Sequence, residues 1–207
     1  MTEITGGGEG QQRDVRPSMA ELKERVARGE NPHTVIRGVV EHDGSVLYSY
    51  VSGSGQELGR DALELYGLVP DGVDSVDAIT LPRDLDFVAG FNYVISHWYG
   101  QVERASKSEQ QPADIENNPL VAKMLGNLGA DEAANLKNLL ATEDAFAGIG
   151  RGVVREALAE DPSGVTWLNG QLAQDPDMHG SELEGARRAI RGIGTLYKEL
   201  QTPPQAQ

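Results

Sequence analysis

The side chains best equipped for chemistry are four histidines, His33, His42, His97 and His179, in a chain with 32 carboxylates and no cysteine. A helical metal site of the His-Glu-x-x-His kind needs two histidines four residues apart, and no pair here has that spacing. Without cysteine there is no thiolate ligand, no thiolate nucleophile and no disulfide. A serine nucleophile of the Gly-x-Ser-x-Gly type is missing as well. His97 precedes Trp98 and Tyr99 and could line an aromatic pocket, although a histidine at the edge of a packed helix face explains it equally well. The acid pairs Asp84 and Asp86, Asp131 and Glu132, and Glu143 and Asp144 fall where helices begin, where a negative charge complements the helix dipole. On this reading the sequence presents no catalytic, cofactor or metal site.

Two glycine-rich stretches could bind phosphate. Ser52-Gly53-Ser54-Gly55 offers backbone N–H groups to an anion, but no Lys-Ser/Thr pair follows it. Its glycines, with Gly59, miss the dinucleotide spacing by one residue. Gly148-Ile149-Gly150-Arg151-Gly152 sits inside a helical pattern, where small residues serve a close helix contact or a bend. Both stretches are read as structural.

The charge excludes more partners. The chain of 207 residues carries a net charge of −14, and only five of its 18 basic residues are lysines. Such a surface repels nucleic acid phosphate and anionic membrane, so nucleic acid is not the expected partner. The excess is local: residues 30–103 carry twelve acids against Arg37, Arg60 and Arg83, whereas residues 1–29 are neutral. A salty host cytoplasm or GC-rich coding accounts for scarce lysine, and a basic partner for the acidic segment. No apolar run approaches the roughly 18–20 residues of a membrane span, and the N-terminus lacks signal-peptide character, so a soluble, intracellular or virion-borne protein is expected.

The elements that would position these residues follow from period and punctuation. Residues 1–16 and 202–207 read as flexible tails, 17–82 as a small α+β segment and 83–201 as a helical domain. Ser18 and Glu21 form a capping box for a first helix, with Met19, Leu22 and Val26 on one face and Gly29 at its end. The β-branched and aromatic runs Thr34–Val40 and Val46–Val51, joined through Asp43-Gly44, predict an antiparallel β-hairpin. A short helix near 56–66 follows, and then residues 73–81 as a third strand or an extended connection. Asp84 caps a long helix whose Phe87, Phe91, Val94, Trp98 and Val102 recur at spacings of three and four. Further helices start at Asn118-Pro119, stopping at Gly129, then at Asp131 and at Thr142, the last ending at Asp161-Pro162. Residues 163–174 form a short helix, and a second capping box, Ser181 with Glu184, starts the final one. The predicted fold class is α+β, helix-dominant.

Residues 151–174, helix, break and helix around Trp167, Leu168 and Leu172, are similar in outline to the helix-turn-helix of winged-helix regulators. The resemblance covers about 24 residues, and its second helix has no Lys or Arg to hold phosphates.

These readings converge on a non-enzymatic structural or interaction subunit of a larger assembly, pairing with itself and with other protein chains. A head–tail connecting or tail component of a virion from a halophilic or GC-rich host is its concrete form. Phe87, Phe91, Trp98, Tyr99, Arg187, Arg188 and Arg191 are the candidate interaction face. The alternatives are an enzyme whose site forms only in the fold, or an acidic regulatory protein carrying the helix-turn-helix-like segment.

Overall fold

A computed structural model describes residues 16–54, 58–69, 84–107, 123 and 126–202, and every regular element among them is helical. The order is α1 (Met19–Ala27), α2 (Pro32–Ser52), α3 (Arg60–Leu65), α4 (Leu85–Tyr93), a π-helical segment (Val94–Tyr99), α5 (Gly100–Ser106), α6 (Ala130–Glu160), α7 (Val165–Gln174) and α8 (Gly180–Gln201). No helix among the described residues is long and apolar enough to cross a membrane. The predicted extended stretch at 73–81, the helix from Asn118 to residue 122 and both tails up to residue 15 and from 203 lie outside the described residues.

The predicted β-hairpin is not there, and with it the α+β assignment falls: residues 34–52 belong to the single 21-residue helix α2. Asn31 caps that helix by accepting the His33 N–H at 2.8 Å, and Pro32 occupies its first turn, so the chain enters with its φ angle already helical. Its buried positions Val35, Ile36, Val39, Val40, Asp43, Gly44, Val46 and Leu47 follow a period near 3.6, not 2. Asp43-Gly44 reads as a hairpin turn in isolation, but here both residues face the core. A Cβ on Gly44 would strike the Asn92 amide, so the small residue is set by close approach of the central helix. Packing overrides the local β propensity.

Other local predictions fare better. The Ser18–Glu21 box closes α1, with the Ser18 N–H donating to the Glu21 carboxylate at 2.7 Å, and Gly29 follows in the left-handed region at φ 94°. Asp84 caps α4 by accepting the Asp86 N–H. Gly129 stands at the N-cap of α6, which runs unbroken through Thr142 for 31 residues to Glu160; the helix that Gly129 was expected to end falls largely outside the described residues. The Ser181–Glu184 box does not form: α8 starts at Gly180, Ser181 bonds Asp84, and Glu184 accepts from Arg188 at 2.6 Å.

The core draws on α1–α3 and α4–α8 alike. α4 and α8 cross with backbones in contact: a Cβ on Gly90 would strike the Glu182 carbonyl, and one on Gly185 the Phe87 carbonyl. At the π segment the Ser96 hydroxyl donates to the Asn92 carbonyl at 2.9 Å, competing for an oxygen of the helical ladder. Val94, Ile95, Trp98 and Tyr99 of this segment are buried.

Candidate functional site

Two buried polar networks hold the chain's most unusual side chains. The first is centred on Asp43, fully buried in the middle of α2. Both of its carboxylate oxygens accept from Arg16 Nε, at 2.9 and 3.0 Å, and Oδ2 also accepts from the Tyr66 hydroxyl at 2.6 Å. His42 Nδ1 lies 3.3 Å from Oδ1. Tyr66 comes from the end of α3, lies edge-on to Phe91 and fits beside Gly192 of α8, whose missing side chain makes its space. Burial, with the neighbouring Asp43 charge, pushes the Tyr66 hydroxyl well above its ordinary pKa, so it stays a donor.

The second network lies at the N-terminal end of α2. His33, 5% exposed, bonds Tyr99 through Nδ1 at 3.0 Å and stacks on Tyr197 at 5.2 Å. One helical turn deeper along α5, the buried Glu103 accepts from Thr34 at 2.9 Å and Arg37 at 2.8 Å, and pairs with Lys107 at 2.8 Å. Burial raises the Glu103 carboxyl, but the hydrogen bonds from Lys107, Arg37 and Thr34 outweigh it and hold its pKa at about 2. Asn31 and Ser106 close the network at 3.0 Å.

The Glu103 carboxyl lies below its ordinary 4.5 in the folded state, so its contribution is complete above that value and fades as pH falls toward 2. Discounted for the solvent that reaches Lys107, that contribution is about 2 kcal/mol. Urea titrations at a series of acidic pH values should show wild type losing this increment below pH 4.5. Glu103→Gln should start lower and respond less to acid; an unchanged acid profile would remove Glu103 from the account.

Neither network offers a free group to a ligand: every buried side-chain nitrogen and oxygen among the described residues has a partner. No group of three or more His, Asp or Glu among the described residues has the geometry to hold a metal ion. A cleft of about 730 Å³ opens between the segment before α1, α3 and α8, lined in part by Arg16, Arg60, Asp61, Glu64, Thr195 and Glu199. The side chains with shifted acidity, His33, Tyr66, Tyr99 and Glu103, do not line it.

The sequence-predicted face divides. Phe87, Phe91, Trp98 and Tyr99 turn into the chain's own core. Arg187 and Arg191 are exposed on α8, while Arg188 is committed to Glu184 and to the Gly67 carbonyl at 2.6 Å. His97 is exposed and stacked on Tyr93 at 4.3 Å, and neither it nor Ser52-Gly53-Ser54 lines the cleft beside α3. Those serines close the end of α2, where Gly53 takes φ 81°. Gly150 and Gly152 face open space, so they mediate no helix contact among the described residues. The break at 161–164 is as predicted, with Asp161 accepting from the Ser163 and Thr166 N–H groups at 3.0 and 2.8 Å to start α7.

From sequence His33 was only one of four histidines and Asp43 only a turn residue, although a signal for their burial exists. His33, Ile36, Val40, Asp43 and Leu47 share one helical stripe, so each polar residue interrupts an apolar face. No family model, no curated protein and no solved structure matches the chain.

Proposed function

We propose that this protein is a non-enzymatic structural or interaction subunit of a larger assembly, associating with copies of itself and with other protein chains. The observation that carries this reading is α6. It runs 31 residues, about 46 Å, and of its described side chains only Val154 is buried. Its C-terminal part rests on α5, where Arg155 donates to the Ala105 carbonyl, while Val153 remains 56% exposed. A helix of this length, with Val154 alone buried among its described side chains, leaves a long surface on which a neighbour can pack. The virion component, as a connector or tail protein, is the concrete form of the proposal. The acidic surface, with a net charge of −14, would keep such a subunit hydrated at high salt.

Light scattering at low and at molar salt tests it. The expected result is a mass above that of one 22.3 kDa chain, with Val153→Glu shifting the population toward monomer. A monomer at both salts and at all accessible concentrations would end the reading.

A further inference from the structure

We propose that the cleft between the segment before α1, α3 and α8 is a docking site for an arginine-bearing segment of a partner protein. The cleft holds about 730 Å³, within the roughly 300–1,000 Å³ of sites that enclose drug-sized ligands and far more than a single ion fills. Its lining divides into an apolar part and a charged part. Met19 of α1, Leu65 of α3 and Leu196 of α8 supply the apolar part, the two leucines buried and Met19 half-buried. The charged part is unbalanced. Arg16 is engaged with Asp43 at 2.9 Å and Arg60 with Glu64 at 2.6 Å, so both cations of the lining are matched. Asp61 at the start of α3 and Glu199 near the end of α8 are exposed carboxylates with no hydrogen-bond or ion-pair partner among the described residues.

An occupant must therefore bring positive charge and apolar surface together. Two exposed carboxylates alone hold a free cation weakly, because water solvates and screens both members of each pair. An arginine answers both parts of the lining. Its aliphatic stem can cover Met19, Leu65 and Leu196 while its guanidinium stays at the wet rim and donates to a carboxylate. A chain segment presents two such side chains at once, one toward α3 and one toward α8, so the second pairing follows at high effective concentration. The net charge of −14, most of it in residues 30–103 where Asp61 lies, draws basic segments from a distance. The inference deepens the reading of this protein as an interaction subunit and rests on its association with other protein chains, not on its self-association.

Isothermal titration of the full chain with the acetylated, amidated peptide Gly-Arg-Leu-Arg-Gly tests it. The expected result is saturable one-to-one binding that weakens as salt rises, with amide NMR shifts confined to residues 16–19, 59–65 and 195–199. Asp61→Asn with Glu199→Gln should weaken the affinity about tenfold. Asp86→Asn with Asp177→Asn removes as many exposed charges outside the cleft and should leave it unchanged. Replacing both peptide arginines by glutamine leaves the protein untouched and should abolish binding. No saturable binding at low salt, an equal loss in the two double variants, shifts outside the cleft, or spermidine binding as tightly as the peptide overturns the proposal. Light scattering on the same samples reads self-association separately: a chain that assembles but takes up no peptide overturns the cleft alone.

Discussion

Gly185→Ala is expected to lower the melting temperature by about 10 °C, the result of a loss of about 3 kcal/mol or more in a chain of this size. Alanine is the better helix former, so propensity alone predicts a gain of about 1 kcal/mol inside α8. The crossing reverses that sign. A methyl group at Gly185 would overlap the Phe87 carbonyl and lie 3.1 Å from the Phe91 nitrogen. Those atoms are backbone in another helix, so no rotamer change relieves the overlap, and α8 must move away from α4. That movement would also loosen Phe87, Phe91 and Ala186, all buried at the same crossing. Gly90→Ala should behave alike, because its methyl meets the Glu182 backbone. Gly150→Ala is the matched contrast: it is helical, exposed and has nothing within 4 Å of its Cβ, so alanine should stabilise by about 0.5–1 kcal/mol. Thermal melts of the three variants decide the matter. A Gly185→Ala protein melting within 2 °C of wild type (about 1 kcal/mol or less) would show that the two helices are not held at backbone contact.

Asp43→Ala should cost about 3–5 kcal/mol, because it removes the acceptor from two donors that the core has already enclosed. Tyr66, with no exposure, would lose its hydroxyl partner, and the Arg16 side chain, 24% exposed, would lose both carboxylate oxygens that its Nε donates to. Asp43→Asn keeps one acceptor oxygen but sets an amide N–H against a guanidinium, and should cost about 2–3 kcal/mol. Replacing the whole cluster is a different operation from breaking it. Arg16→Met, Asp43→Leu and Tyr66→Phe together remove both donors along with the acceptor, lose only the longer His42 contact at 3.3 Å, and should recover most of the loss. Urea midpoints at constant m-value separate these outcomes. If Asp43→Ala falls within about 1 kcal/mol of wild type, the buried carboxylate does not hold the segment before α1 to the bundle.

Legibility of the fold varied with the range of the interaction that sets each element. Ser18 with Glu21, Asp84 with Asp86, and Asp161 with Ser163 close helix starts over two or three residues, so the sequence displays both partners side by side. The apolar stripe from Phe87 to Val102 was visible for the same reason, and all five of its residues are buried. α2 was misread because its residues are individually suited to strands. Val35, Ile36, Val39 and Val40 are β-branched, and Asp43-Gly44 resembles a turn, while what makes the segment helical is the surface it must cover. The aromatic half of the predicted interaction face met a similar fate. Apolar spacing identifies a face to be covered, and here α2 and α8 of the same chain cover it.

By itself the sequence determined the caps at Ser18 and Asp84, the absence of cysteine, a net charge of −14, and the buried stripe from Phe87 to Val102. The tertiary structure alone decided which polar residues go inside. Arg16 and Asp43 are 27 positions apart, His33 and Tyr99 are 66, and Thr34 and Glu103 are 69. A carboxylate or imidazole can be buried only where its partners arrive with it, and these partners arrive from other helices. Such convergence depends on how helices cross, at places such as Gly90 and Gly185, and no local pattern encodes that.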